Sequence, residues 1–179
     1  RTARWIAAAR RHRQLALNLL GRSLGPGPVD FSGPCFDERT MGPMLEAAAE
    51  SSGSVSYRCY MLFLAYLFGD YERAVRLGES IAPKAEAVGN QAAIIGLYLL
   101  FYPLSLAASR HAKTASGKVR IPRAAEACRL RLRRLSAAAP KAYGPWNDLV
   151  EAEFASEEGD HAKAERLYFR AVGGADELG

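Results

Sequence analysis

Few stretches of this 179-residue chain hold residue types at spacings that could do chemistry, so these come first. The text "HAKTASGKV" ends in Gly117-Lys118, the pair that closes a phosphate-binding loop. Such a loop needs an earlier glycine and a hydroxyl after the lysine, and Ala112 and Val119 stand there instead. Glu153, Glu157, Glu158 and Asp160 form an acidic cluster, with Glu153 and Glu157 on one helical face. Paired carboxylates do acid–base work when burial separates their pKa values, but no histidine or aromatic pocket accompanies them in sequence. A solvated acidic edge is the expectation.

Cys35, Cys59 and Cys128 are widely spaced and odd in number, which fits buried reduced thiols and neither a disulfide framework nor a zinc motif. His12, His111 and His161 share no i,i+4 pairing, so a metal site has little support. No kinase catalytic loop, phosphoacceptor-histidine box or G-x-S-x-G is present. We therefore expect no catalytic residue, no metal and no cofactor in this segment.

Binding is the remaining chemistry. Residues 110–134 hold nine Lys/Arg against Glu126 alone. On a helix, Arg123, Arg131 and Arg134 project away from an apolar stripe of Ala125, Cys128, Leu132 and Leu135. Such a face suits phosphates, nucleic acid or an acidic protein, although aromatic interleaving for base stacking is scarce. A solvent-exposed face or an acidic partner is favoured over nucleic acid. Among the aromatics, Tyr66 and Tyr98 read as core, while Tyr60, Tyr102 and Trp146 stay candidates for a partner-binding groove.

The elements that must carry these residues are helical. Alanine, leucine and arginine are abundant and β-branched residues scarce. A helix is expected from Arg4 to Leu20, with Trp5, Ala9, His12, Ala16 and Leu19 on one face and the arginines mostly elsewhere. Gly21 stops it, and a Pro/Gly-rich loop fills 22–37. Asp37 can cap a helix over 38–50, although Pro43 allows a start near Met41. After the break "SSGS" come helices at 55–68, 71–82, 92–108, 122–138, 144–158 and 161–172. Gly89-Asn90 ends one unit, 112–121 reads as a loop, and Pro140 closes the basic helix. The run 92–108 is uncharged, but Gly96, Pro103 and two tyrosines favour a buried central helix over a membrane span.

Two of these helix pairs repeat. "FLAYLFGDYERAVRL" at 63–77 and "EFASEEGDHAKAERL" at 153–167 align without gaps at an offset of 90. Ala65, Gly69, Asp70, Ala74 and Leu77 match Ala155, Gly159, Asp160, Ala164 and Leu167. The small residue before the turn lets two helices approach, Gly-Asp closes one helix and caps the next, and the following alanine sits where they cross.

These units resemble tetratricopeptide repeats, spaced irregularly at about 45 residues instead of 34. The resemblance implies an all-α fold, an α-solenoid of irregular hairpins near 54–82, 91–138 and 144–172 within a repeat domain spanning 38–179. A helix over 1–21 and the loop over 22–37 precede it. The wider order of "LGRSLGPGPVDFSGPCFDE", "YLFGDYERAVRLGE", "RLRLRRL" and "DLVEAEFASEEGDHAKAERLYFRAV" is similar to one region of large multidomain signalling proteins. Those proteins join a serine/threonine-kinase-like domain, an AAA/STAND-type ATPase, and a GAF domain with a sensor histidine kinase. The resemblance implies a cytoplasmic, non-catalytic scaffold that couples an ATPase switch to a kinase output, with flanking domains or other proteins as partners. ATP would belong to the parent protein, not to this segment. The alternatives are a basic helical-repeat module that binds nucleic acid or an acidic partner, and a part of an enzyme whose active site lies elsewhere. The start at Arg1 without Met fits a piece of a longer chain.

Residues 1–140 carry 20 Lys/Arg against 10 Asp/Glu, and residues 141–179 carry 4 against 9. That asymmetry is compatible with acidic partners near the first part, and equally with solvated helix faces.

Overall fold

Helix-forming composition gives helices throughout. The computed structural model describes residues 2–47, 52–85, 92–111 and 121–176. Its α-helices are α1 (Thr2–Leu19), α2 (Glu38–Ala47), α3 (Ser52–Leu67), α4 (Tyr71–Ile81), α5 (Ala92–His111), α6 (Arg123–Ala138), α7 (Pro140–Glu157) and α8 (His161–Asp176). A short 3₁₀ turn, Ala82–Lys84, extends α4. Among the described residues there is no β-strand, only one isolated bridge between Gly33 and Phe36. Gly89-Asn90 and, apart from Ile121, the stretch 112–121 expected as a loop, with Gly117-Lys118, lie outside the described residues.

Local chemistry explains most boundaries. Asp37 caps α2, its Oδ1 accepting from the Arg39 amide at 2.9 Å. Helix α2 starts at Glu38 and carries Pro43 past its first turn, where the ring removes the amide that would bond the Arg39 carbonyl. The "SSGS" segment does not break the chain at its end: Ser52, Gly53 and Ser54 already belong to α3. Pro140 does not merely close α6. It opens α7 at the first helical position, where a proline ring fits best.

The chain divides into two compact units, 1–95 and 96–179, with the boundary inside α5. In the first unit, α3 is buried nearly all round, with Cys59, Leu62, Leu64 and Ala65 fully enclosed. α4 packs against it through Ala74, Gly78 and Ile81. The Pro/Gly-rich loop inserts Phe31 and Phe36 beside Tyr57 and Tyr60, with Phe31–Phe36 centroids 5.2 Å apart. Both phenylalanines are at most 1% exposed. Each contributes roughly 2–3 kcal/mol by leaving water.

Polar side chains of α1 hold this loop in place. Asn18 Nδ2 donates to the Pro28 and Asp30 carbonyls at 2.9 and 2.8 Å. Gln14 donates to Asn18 Oδ1 at 2.9 Å and accepts from the Cys35 amide at 3.3 Å. Buried loop carbonyls need donors, and helix α1 turns its polar side inward to supply them.

In the second unit, α7 packs against both α6 and α8. Gly96 lets Trp146 lie close, since a β-carbon there would sit 3.0 Å from Trp146 Cζ3. Arg129, 8% exposed, bridges α6 to α7. It donates twice to Glu151, at 3.1 and 2.9 Å, and lies 4.1 Å above the Phe154 ring.

The two Gly-Asp corners share one geometry. Gly69 has φ +79° and Gly159 φ +83°, the left-handed turn that glycine adopts freely. Asp70 N donates to Ala65 O at 2.8 Å, and Asp160 N to Ala155 O at 2.9 Å. Each aspartate then caps the following helix, Oδ1 accepting at 3.1 Å from Arg73 N or Lys163 N. Ala65, Ala74, Ala155 and Ala164 are all at most 3% exposed, while Leu77 and Leu167 are half-buried.

Candidate functional site

The sequence candidates for a partner surface divide sharply by burial. Tyr60 is 3% exposed and Tyr102 is fully buried, so neither presents a face to a partner. Tyr60 belongs to the aromatic core around Phe31, where its hydroxyl donates to His12 Nε2 at 2.8 Å. The His12 Nδ1–H donates to the Ala8 carbonyl at 2.9 Å, which leaves Nε2 as the acceptor. Tyr102 stacks on Tyr98 with centroids 5.6 Å apart. Both tyrosines lost the groove role because their rings supply the bulk that fills the interior. Trp146 is half-buried, with one ring edge against Gly96 and Tyr143 edge-on at 5.7 Å. Tyr98 is core, and Tyr66 is half-buried beside Tyr71.

The basic helix α6 splits into two groups. Arg129 and Arg133 are spent on Glu151, the latter at 3.0 Å. Burial works against the charged Glu151, but hydrogen bonds from Arg129 and Arg133 prevail and hold its carboxyl below the ordinary value. Arg123 and Arg134 are exposed and Arg131 is half-buried, and none of the three makes an ion pair among the described residues. They lie along one ridge with the exposed Leu130.

The acidic cluster comes apart into separate structural tasks. Glu153 accepts from the Tyr168 hydroxyl at 2.9 Å, Glu157 pairs with Arg110 at 2.5 Å, and Asp160 caps α8. Glu153 and Glu157 are held by different partners, a hydroxyl and a guanidinium. The thiols are structural as well: burial pushes Cys59 up to about 12 and Cys128 up to about 11. Cys35 is half-buried, and among the described residues no cysteine is in a disulfide. Among the described residues no group of three His, Cys, Asp or Glu could hold a metal ion. No described helix is long and apolar enough to cross a membrane.

Three surface features escaped the sequence reading. First, the stripe of Trp5, Ala9, His12, Ala16 and Leu19 faces outward, with Trp5 77% exposed. Second, a cleft of about 420 Å³ opens along α7 and α8 over Ser156, Ala164, Tyr168, Phe169 and Val172. Third, a cleft of about 530 Å³ lies in the loop beside Asp30, Asp37 and Glu38. Arg73 faces two of those carboxylates, at 3.8 Å from Asp30 and 3.6 Å from Glu38. Only the first had a sequence signal, the three-and-four spacing itself, which marks a stripe but not which way it turns.

Compared with protein-family models, curated proteins and solved structures, the chain matches none.

Proposed function

We propose that this chain is a non-catalytic helical-repeat scaffold that binds protein and couples regulation within a larger ATP-dependent signalling protein. In this reading its hairpins are irregular tetratricopeptide-like units of one α-solenoid. The observation that carries it is the pair of Gly-Asp corners, alike in φ, in the 5-residue amide bond and in the aspartate cap, 90 residues apart. A chain reuses such a corner when it reuses a hairpin. The exposed Phe169 and Val172 along α8 suit a surface that another helix covers.

Coupling needs a partner or ligand that binds one state of the arm more tightly than the other. The test uses the parent protein with residues 54–179 deleted. Signalling output should change while nucleotide binding persists; unchanged output would refute the reading. The isolated segment should hydrolyse no ATP.

A second reading rests on Arg123, Arg131 and Arg134, the unpaired guanidinium groups of α6. They suit a polyanion or an acidic protein surface. Filter binding of nucleic acid at two salt concentrations separates these, because phosphate contacts give a steep salt slope.

A further inference from the structure

The outward face of α1 is apolar, although the inward face is polar. Trp5, Ile6, Leu19 and Leu20 are 77%, 50%, 45% and 68% exposed. Arg11, Gln14 and Asn18 are buried on the opposite side, about half a turn away. Asn18 serves two loop carbonyls and Gln14 the Cys35 amide, so the apolar stripe on the other side faces outward.

The stripe is built in a particular order. Trp5 stands at one end, Leu19 and Leu20 at the other, and Ala9, His12 and Ala16 lie between, with both His12 nitrogens already bonded to Tyr60 and Ala8. The whole spans about 22 Å, at 1.5 Å per residue. Central alanines let a second helix approach closely, and bulky ends flank it on both sides. A face that inserts into lipid gains from large apolar groups along its whole length, which this one lacks. The charge beside the stripe is of one sign. Arg10 and Arg13 are exposed and make no ion pair among the described residues, and α1 contains no acidic residue. A second copy placed here would set arginine against arginine.

We infer that the outward face of α1 docks an amphipathic helix of a protein partner, with a small apolar seam and carboxylates along its edges. The inference rests on the protein-binding reading above and names one surface and one partner chemistry for it. The seam would pack on Ala9 and Ala16 under Trp5 and Leu20, and the carboxylates would meet Arg10 and Arg13.

Two fluorescein-labelled helical peptides of about 20 residues test this on the full 179-residue protein by anisotropy. Both carry an alanine/leucine seam; one is edged with glutamate, the other with lysine. The glutamate peptide should bind and the lysine peptide should not. Trp5→Glu should weaken binding about tenfold or more, because it replaces the stripe's one large aromatic contact with a carboxylate. Arg10→Glu with Arg13→Glu should reverse the preference towards the lysine peptide. All these side chains are exposed, so far-ultraviolet dichroism should stay unchanged.

Failure of the glutamate peptide to bind overturns the inference. So does binding that Trp5→Glu leaves intact, which would retain the scaffold reading and move the surface elsewhere. Attachment to phosphatidylserine vesicles without peptide binding would assign the face to a lipid surface. A dimer in sedimentation that Trp5→Glu dissolves, again without peptide binding, would assign it to a second copy. Each of those results also overturns the inference.

Discussion

Replacing Gly69 by alanine places a β-carbon where no other heavy atom lies within 4 Å, so the cost is purely one of backbone. At φ +79° an L-residue is strained by roughly 1 kcal/mol relative to glycine. Gly159→Ala meets the same open space at φ +83° and should cost the same. Asp70→Ala and Asp160→Ala each remove a cap and should cost about 1 kcal/mol, with asparagine restoring most of it. Urea unfolding of the four variants checks whether the two corners are energetic equals as well as geometric ones. A different kind of residue effect is expected at Glu151. Its folded carboxyl is held below the ordinary value, so the unfolded chain binds the proton more readily in mild acid. The ion pair's stabilisation is therefore complete above the ordinary glutamate value. It fades as pH falls below that value and is gone beneath the folded one. Glu151→Gln leaves Arg129 its 3.1 Å pair with Glu126 but weakens two charged hydrogen bonds, and should cost about 2 kcal/mol at neutral pH. The melting-temperature gap to the unaltered protein should close as the solution is acidified.

At the scale of the element, α1 and its loop form one device. Asn18→Leu strips the Pro28 carbonyl of its side-chain donor and Gln14 Nε2 of its acceptor, and should cost about 2–3 kcal/mol through unsatisfied buried groups. Gly33→Ala attacks the same clamp from the other side, since its β-carbon would meet Gln14 Nε2 at 2.6 Å. Hydrogen exchange should rise at the Ser32 and Gly33 amides in both variants, because those amides donate to Asp30 and Phe36 carbonyls within the clamped loop. None of this was legible in advance. Periodicity reads stretches of regular structure, and Phe31 and Phe36 lie in a loop, where it says nothing about burial. The direction of α1 was hidden for a related reason. Its stripe of Trp5, Ala9, Ala16 and Leu19 was visible in the spacing, but its orientation depends on carbonyls 10 and 12 residues beyond Asn18. The Gly-Asp corners, by contrast, were readable because every bond that makes them closes within five residues. The stripes Val55–Cys59–Leu62–Ala65 and Ala125–Cys128–Leu132 were readable too, because helical spacing and burial coincide there. Tyr60 and Tyr102 fell to the interior because helices buried on most sides leave an aromatic ring no exposed face, and sequence spacing does not count sides.

Over the whole molecule, net charge is a poor guide to what the surface offers. The sequence carries +5, and residues 110–134 hold nine of its basic groups. Yet in α6 the structure commits Arg129 and Arg133 to Glu151, which leaves Arg123, Arg131 and Arg134 for any outside anion. Three phosphate contacts give a logarithmic salt slope of about −2.7, or a ~40-fold loss of affinity between 50 and 200 mM salt. A duplex held by so few contacts, with no stacking aromatics on the ridge, is largely released at physiological ionic strength. Reversing the charges at Arg123, Arg131 and Arg134 together should flatten that slope by about 3 and leave helix content unchanged, because none of the three has an ion pair among the described residues to lose. A slope much steeper than three contacts, measured on the unaltered protein, would mean that further basic residues also contact phosphate, and would raise the polyanion reading above the acidic-protein one.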